Sequence, residues 1–217
     1  MTKPLSVQYL IRFASRDRIE EFRATGRLYM NTLRYFKDLE VKDELRSDKS
    51  EGISHSYPAN KCEIFLRENG VSLPINNLTG AVTISDPSNE NINIFSLFAI
   101  TENLTESMFD DRVLGFGDCA AVILNPKEFI RRCNIAIDYR LWPRGHDLVE
   151  YVDRDFYSGK MGPFRKFSNF EYQNEFRIAV RAAIKCPVSD LYLGDISDIT
   201  CICDSMNIRG QFRWKSH

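Results

Sequence analysis

The stretch from residue 171 to residue 180 constrains the fold most, because from Gln173 onward it divides into two alternating sets: Gln173, Glu175, Arg177 and Ala179 in one, and Asn174, Phe176, Ile178 and Val180 in the other. A period of two residues predicts a β-strand whose two faces differ in polarity. The apolar face requires a hydrophobic core and consists of Phe176, Ile178 and Val180. The polar face places Gln173, Glu175 and Arg177 in a row, about 7 Å from one residue to the next. Such a row either faces water or lines a functional site, and the alternation alone leaves both open.

The beginning of the chain predicts a compact unit of strand, helix and strand. An apolar run from Val7 to Phe13 indicates the first strand, and Ser15 is placed to cap the helix that follows. Gly26 is typical of the residue that ends a helix. The segment from Arg27 to Thr32 then indicates the second strand.

The rest of the chain predicts more strands and one further clear helix. Short apolar runs between residues 61 and 103 are separated by Asn, Gly and Pro turn signals, which is typical of β-structure. Asn125, Pro126 and Glu128 combine three signals for the start of a helix. No linker or repeat divides the chain. We therefore expect a single α+β domain over residues 1–217, with a mostly antiparallel β-sheet flanked by short helices.

Composition limits the classes of function. The formal net charge of −1 provides no global field that attracts nucleic acid or membranes, so any such binding requires a local patch. The six cysteines lie mostly in apolar runs, as buried reduced thiols do in a reducing compartment. No run approaches the length of a membrane span, and the first residues lack the apolar core of an export signal. We expect a cytoplasmic protein with no membrane association and no metal site.

The charged segment from Lys37 to Gly52 allows two interpretations. It interleaves acidic and basic residues, which is typical of a solvated loop. Long irregular loops within compact domains are also often functional, so the segment that extends to residue 60 is alternatively a loop that covers a site.

Common catalytic devices are absent from the sequence. It contains no glycine-rich phosphate-binding loop and no nucleophile elbow, and its three histidines do not favour a histidine-based nuclease or hydrolase. What remains is a set of polar side chains on the first two predicted strands and on the late one: Arg12, Tyr29, Asn31, Thr32, Gln173 and Glu175.

These residues resemble the ADP-ribosyltransferase superfamily. The resemblance lies in Tyr9-Leu-Ile-Arg-Phe, in the helix that ends at Gly26, in Leu28-Tyr-Met-Asn-Thr and in Gln173-Asn-Glu-Phe-Arg. The same pattern is similar to a group of bacterial proteins of the toxin and defence type. It implies a split, mostly antiparallel sheet and an enzyme that uses NAD as substrate.

The resemblance also implies a role for each residue. Glu175 is the catalytic carboxylate that stabilises positive charge on the ribose as nicotinamide leaves. Gln173 orients the nucleophile of the acceptor. Arg12 holds a phosphate or ribose of NAD by charge-assisted hydrogen bonds. The remaining contacts with NAD are assigned to the second strand and the residues after it. Tyr29 or Tyr35 stacks on nicotinamide, and Asn31 and Thr32 also bind NAD.

The resemblance specifies the acceptor and the protein partners less closely than it specifies the residues that bind NAD. The resemblance implies ADP-ribose transfer to a macromolecule, by a toxin with an antitoxin partner or by an anti-phage effector. Basic segments at Arg131–Arg132, Lys160–Lys166 and Arg209–Lys215 slightly favour RNA or DNA over protein as the acceptor. The alternative is a non-catalytic RNA- or protein-binding module whose polar row at residues 173–177 faces solvent.

Overall fold

A computed structural model of the chain describes residues 6–39, 48–68, 71–75, 77–105, 109–140, 142–182 and 188–212. The α-helices are α1 (Arg16–Thr25), α2 (Leu33–Asp38), α3 (Pro87–Glu90) and α4 (Pro126–Asp138). The strands are β1 (Val7–Ala14), β2 (Arg27–Thr32), β3 (Ile53–Pro58), β4 (Ile64–Glu68), β5 (Val71–Ile75), β6 (Ala81–Ser85), β7 (Asn93–Thr101), β8 (Cys119–Ile123), β9 (Arg144–Leu148), β10 (Glu150–Val152), β11 (Gly159–Lys160), β12 (Arg165–Phe167), β13 (Glu175–Val180), β14 (Val188–Tyr192) and β15 (Thr200–Asp204). Short 3₁₀ segments lie at Ala59–Lys61, Asp111–Phe116, Gly162–Phe164, Ser168–Gln173 and Ser205–Gln211.

Eight of these strands form one antiparallel sheet around β7. One edge of β7 pairs with β13 along residues 93–98, and β9 lies beyond β13. The other edge of β7 is shared by two strands. β2 pairs with residues 93 and 94, whereas β1 pairs with residues 98–101. Beyond these, β14 continues from β2, and β8 and β15 continue from β1.

The sheet is therefore split where β1 and β2 diverge along β7. Among the described strands, residues 95–97 of β7 have a strand partner on the β13 edge only. The predicted α+β class and the mostly antiparallel pairing are confirmed. The smaller sheets are the three-stranded β11–β3–β6 and the pairs β4–β5 and β10–β12, of which the last is parallel.

The two faces of the large sheet bury different sets of side chains. Helices α1 and α4 cover one face, where Ile19 and Phe129 pack against Phe95 and Phe176. We call this the helix face. The opposite face carries a second cluster under the 3₁₀ segments 111–116 and 205–211, and it also carries the polar side chains of β13. We call this the site face.

Two of the predicted helix ends form as expected, whereas Ser15 stands at the N-cap position of α1 without a cap hydrogen bond from its side chain. Gly26 ends α1 with φ 61°, and its N–H donates to the carbonyl of Phe22. Asn125 caps α4 by accepting a hydrogen bond from the N–H of Glu128, with Pro126 in the first turn. These ends satisfy backbone groups that a helix leaves unpaired.

The predicted start of the late strand is wrong. Gln173 is the last residue of the 3₁₀ segment, Asn174 adopts the left-handed conformation with φ 35° and ψ 56°, and β13 begins only at Glu175. All six residues of β13 are buried, so its polar side chains do not face water either. The apolar half of the prediction is confirmed, because Phe176, Ile178 and Val180 lie in the core of the helix face.

The expectation of a solvated loop is also wrong at Asp48, Glu51 and Gly52, although Lys49 between them is exposed. Asp48 and Glu51 are each 3% exposed, and β3 begins directly afterwards at Ile53. Residues 40–47, which belong to the same predicted loop, lie outside the described residues. In the part of the chain that the structure describes, no helix has both the length and the apolar character needed to cross a membrane.

Candidate active site

A cluster of buried charged side chains lies on the site face, and Arg177 is at its centre. This side chain has 0% exposure. Its guanidinium donates to both oxygens of Glu175, to both oxygens of Glu51 and to the carbonyl of Pro163. All five N–H donors of a guanidinium are thereby used. Burial alone would lower the pKa of Arg177, but attraction to the two carboxylates outweighs burial and raises it.

Glu175 is held by four donors. Arg177 and the hydroxyl of Ser96 donate to its Oε1, and the second nitrogen of Arg177 donates to Oε2 at 3.2 Å. The fourth group is Lys166, whose Nζ forms an ion pair with Oε2 at 3.1 Å. Burial raises the pKa of a carboxyl group, but Arg177 and Lys166 outweigh it and lower the pKa of Glu175 to about 2. Its carboxylate is therefore ionised and immobile at neutral pH.

Lys166 connects three segments of the cluster. Its Nζ lies 2.7 Å from Oε1 of Gln173, 3.1 Å from Oε2 of Glu175 and 3.2 Å from Oε1 of Glu51. Lys166 belongs to the basic segment 160–166 that favoured a nucleic-acid acceptor, but its side chain is 7% exposed and contacts the cluster instead of solvent. Burial lowers the pKa of Lys166, but the neighbouring carboxylates raise it overall, so the ammonium stays charged.

Asp48 adds a fifth charged group at the edge of the cluster. Its Oδ1 accepts a hydrogen bond from the N–H of Ser50 at 2.9 Å. Burial, and then the charge of Glu51, raise the pKa of Asp48 to about 6. Asp48 and Glu175 are thus two carboxyl groups whose environments move their pKa values apart, as acid and base groups in active sites do.

An open cleft of about 560 Å³ borders the cluster at Asp48. It is lined by three segments, residues 48–50, 153–155 and 167–170. The segment 167–170 belongs largely to the 3₁₀ segment that ends at Gln173. The ring of Phe170 in this segment lies 5.1 Å from Nζ of Lys166. The cleft is large enough for a small organic group next to the buried charges.

Arg12 approaches the cluster from the opposite side of the sheet. Its guanidinium lies on the helix face, 4.7 Å from the centre of the Phe95 ring. Through the split between β1 and β2 it donates to the carbonyl oxygen of Ser96 at 3.0 Å. The hydroxyl of the same Ser96 donates to Glu175 on the site face. Arg12 and Glu175 therefore contact two atoms of one residue on β7, although their side chains belong to opposite faces.

The second-strand residues lie on two sides of β2. Tyr29 and Asn31 belong to the site face, since Leu28 and Met30 between them pack on the helix face. Tyr29 is 47% exposed, and the guanidinium of Arg27 lies 5.4 Å from its ring centre. Oδ1 of Asn31 is buried and receives no hydrogen bond from the described residues.

Thr32 and Tyr35 belong to the start of α2. The hydroxyl oxygen of Thr32 accepts a hydrogen bond from the N–H of Tyr35 at 3.2 Å, which makes Thr32 the cap of this helix. Tyr35 is 45% exposed, and its ring packs edge-on against Phe36. Their assignment to NAD binding stays a prediction.

The basic segments are largely neutralised by acidic neighbours. Arg131 pairs with Glu128 at 2.7 Å, and Arg132 pairs with Asp198 at 2.5 Å. The other two segments show the same pattern through the pairs Arg165–Glu150 and Arg209–Asp111. Residues 213–217 of the last segment lie outside the described residues.

Sequence reasoning found the carboxylate but missed most of the groups around it. These are Asp48, Glu51, Ser96, Tyr151 and Lys166, whereas Arg177 was already placed in the polar row with Glu175. The hydroxyl oxygen of Tyr151 accepts a hydrogen bond from the N–H of Glu175 at 3.0 Å. The one available signal was Arg177, whose charge in a strand flanked by apolar residues requires a partner if it is buried. Its partner Glu51 lies 126 residues away, beyond any local pattern.

Comparison of the chain with models of protein families, with curated proteins and with solved structures gives no match. The described residues also contain no group of three or more His, Cys, Asp or Glu side chains arranged to hold a metal ion. Any function has to be argued from the cluster itself.

Proposed function

We propose that this protein is an NAD-dependent ADP-ribosyltransferase in which Glu175 is the catalytic carboxylate. One observation carries the proposal: Glu175 is ionised, accepts hydrogen bonds from Arg177 and Ser96 and pairs with Lys166, and the carbonyl of the same Ser96 accepts a hydrogen bond from Arg12. The carboxylate from the late part of the chain and the guanidinium from the early part thus contact one residue of β7 from opposite faces of the sheet.

The proposed reaction requires an ionised carboxylate whose position is fixed before nicotinamide leaves. In the proposed reaction the bond between the ribose carbon and the nicotinamide nitrogen breaks, and nicotinamide leaves as a neutral molecule with the bonding electron pair. Positive charge then develops on the ribose, and a preorganised carboxylate stabilises it without reorganisation. The acceptor nucleophile forms the new bond to the same carbon and gives up its proton.

Two further groups on the site face support a place for NAD. Asn31 offers a buried carbonyl oxygen that receives no hydrogen bond from the described residues, and the amide of nicotinamide or a ribose hydroxyl supplies a suitable donor. Tyr29, on the same face of β2, presents an exposed ring for stacking. Arg12 donates to the carbonyl of Ser96 from the helix face. We therefore assign Arg12 a role in positioning Ser96, in addition to its predicted contact with NAD.

The test compares two variants that disturb the cluster in the same way. Glu175 and Glu51 each contact both Arg177 and Lys166, so Glu175→Gln and Glu51→Gln each remove one carboxylate from the same two cations. We expect the wild type to release nicotinamide from NAD and to transfer label from NAD to an acceptor in a lysate supplemented with nucleic acid. Glu175→Gln should lower nicotinamide release about 100-fold or more.

The control separates catalysis from folding. Glu51→Gln should lose a comparable amount of stability in chemical denaturation but much less nicotinamide release. Equal loss of activity in both variants, in proportion to their loss of stability, would contradict a catalytic role of Glu175.

The second candidate is a non-catalytic module that binds RNA or protein. It is favoured by the enclosure of Glu175, which is 5% exposed and has both oxygens engaged. Such saturation is also what a purely architectural ion cluster shows. Wild-type protein that neither binds nor cleaves NAD, with nucleic acid and lysate supplied, would favour this candidate.

A further inference from the structure

The two candidate catalytic residues are not related by strand geometry. Gln173 ends a 3₁₀ segment, Asn174 turns the chain through the left-handed region, and Glu175 begins β13. The pleat of a strand therefore does not set the distance or direction between the amide and the carboxylate. Another contact has to hold the two groups against each other.

Lys166 supplies that contact. An ammonium group has three N–H donors. Three acceptors lie within reach of Nζ of Lys166, and they are Oε1 of Gln173 at 2.7 Å, Oε2 of Glu175 at 3.1 Å and Oε1 of Glu51 at 3.2 Å. The side chain is 7% exposed, so water competes little for these donors. The amide oxygen and the carboxylate oxygen are thereby held on one nitrogen atom.

The two residues depend on Lys166 to different degrees. Glu175 also accepts hydrogen bonds from Ser96 and from Arg177, and these hold it in place without the ammonium. The bond from Lys166 to the oxygen of Gln173 is short and charge-assisted, and the nitrogen of the same amide donates to the hydroxyl of Tyr172 at 3.3 Å. Removal of the ammonium breaks the link between the amide of Gln173 and the carboxylate of Glu175, while Ser96 and Arg177 still hold the carboxylate.

We propose that Lys166 is a positioning residue that fixes Gln173 relative to Glu175 and thereby directs ADP-ribose to the acceptor instead of to water. The inference rests on the proposed function, in which Glu175 stabilises the ribose cation and Gln173 orients the acceptor. Loss of Lys166 then impairs the step that uses Gln173, while the bond to nicotinamide still breaks beside Glu175.

The first experiment measures the partition between transfer and hydrolysis. Lys166→Met replaces the ammonium by an apolar group of similar length in a buried place. With labelled NAD and the lysate acceptor, the ratio of label transferred to nicotinamide released should fall about tenfold or more in Lys166→Met. Gln173→Ala should show the same fall, and the double variant should show no further fall, because residues that act through one contact are not additive.

The control is Lys61→Met, which removes an exposed lysine in the 3₁₀ segment Ala59–Lys61, outside the three basic segments. It should keep the wild-type ratio. A Lys166→Met variant that loses transfer and nicotinamide release in equal proportion would show a merely structural lysine and overturn the inference. Additive effects of Lys166→Met and Gln173→Ala would overturn it as well.

A second measurement does not require activity on NAD. In NMR spectra of the protein alone, Lys166→Met should shift the side-chain amide signals of Gln173 and speed their hydrogen exchange. The carboxyl carbon of Glu175 should keep the chemical shift of an ionised group. Unchanged Gln173 signals would overturn the positioning role. An inactive wild type that shows these shifts would instead refute the proposed enzyme and leave the contact established.

Discussion

At the scale of single residues, the charges of the buried cluster balance except at Asp48. Glu51 and Glu175 are matched by Lys166 and Arg177, so two negative groups face two positive groups. Asp48 is a further carboxyl group in the same surroundings, with Glu51, Lys166 and Arg177 all acting on it. Burial and the repulsion from Glu51 prevail, and they raise its pKa from 3.8 to about 6.

This imbalance predicts that Asp48 destabilises the folded protein at neutral pH. The folded state keeps the proton to a higher pH than the unfolded chain does, so the free energy of unfolding falls as pH rises from about 4 through about 6. A shift from 3.8 to about 6 corresponds to a cost on the order of 3 kcal/mol above pH 6. Asp48→Asn removes the charge and keeps an oxygen for the N–H of Ser50. Urea denaturation between pH 4 and pH 8 should therefore show that Asp48→Asn raises the free energy of unfolding, by an amount that grows with pH.

The matched control is Asp17→Asn, which neutralises an exposed carboxylate in α1 on the helix face. Its effect on the free energy of unfolding should be small and nearly independent of pH in this range. A gain for Asp48→Asn that is the same at pH 4 and pH 8 would show that charge at Asp48 is not the cause.

At the scale of elements, the sequence predicted those parts that local chemistry determines. Gly26 and Asn125 end and begin their helices as expected, because each satisfies a backbone requirement within a few residues. The start of β13 was predicted two residues too early, because the two-residue pattern was extended back through Asn174, where the backbone leaves the extended conformation. Glu175 was identified, but its partners Glu51 and Lys166 were not, since the pairs form only when distant segments fold together.

The break at Asn174 leads to a prediction about the element boundary. Its φ of 35° lies in the left-handed region that side chains other than Asn, Asp and Gly adopt at a cost, and its side-chain nitrogen donates to the carbonyl of Ala99 at 2.5 Å. Asn174→Ala loses the hydrogen bond and strains the backbone, so it should lower the free energy of unfolding by about 2 kcal/mol. Asn174→Gly loses the bond alone and should cost about 1 kcal/mol.

Thermal or urea denaturation of the two Asn174 variants measures the difference directly. Because both lack the Ala99 bond, the gap between Gly and Ala reports the left-handed conformation itself. An alanine variant as stable as the glycine variant would mean that the chain passes from the 3₁₀ segment into β13 without this turn.

At the scale of the whole molecule, the buried cluster joins parts of the chain that no single element connects. Arg177 in the large sheet binds Glu51, next to the small β11–β3–β6 sheet, and Pro163, between β11 and β12. Lys166 in β12 then binds back to Glu51 and Glu175. A buried ion cluster is not in itself a large source of stability, but removal of one member leaves the others charged and unpaired.

Arg177→Met tests this role, because it removes the cation and keeps an apolar side chain in a fully buried place. Two carboxylates then lose their main partner, so the free energy of unfolding should fall by about 3–5 kcal/mol. Arg16→Met breaks the exposed pair of Arg16 with Asp204 and should cost at most about 1 kcal/mol. Hydrogen exchange should rise first in β3, β11 and β12 of Arg177→Met, and later in β1 and β8, whose partners lie in the large sheet. An equal rise in hydrogen exchange across all five strands would contradict this role. It would show that the cluster stabilises the whole molecule evenly and does not specifically connect the small sheets to the large one.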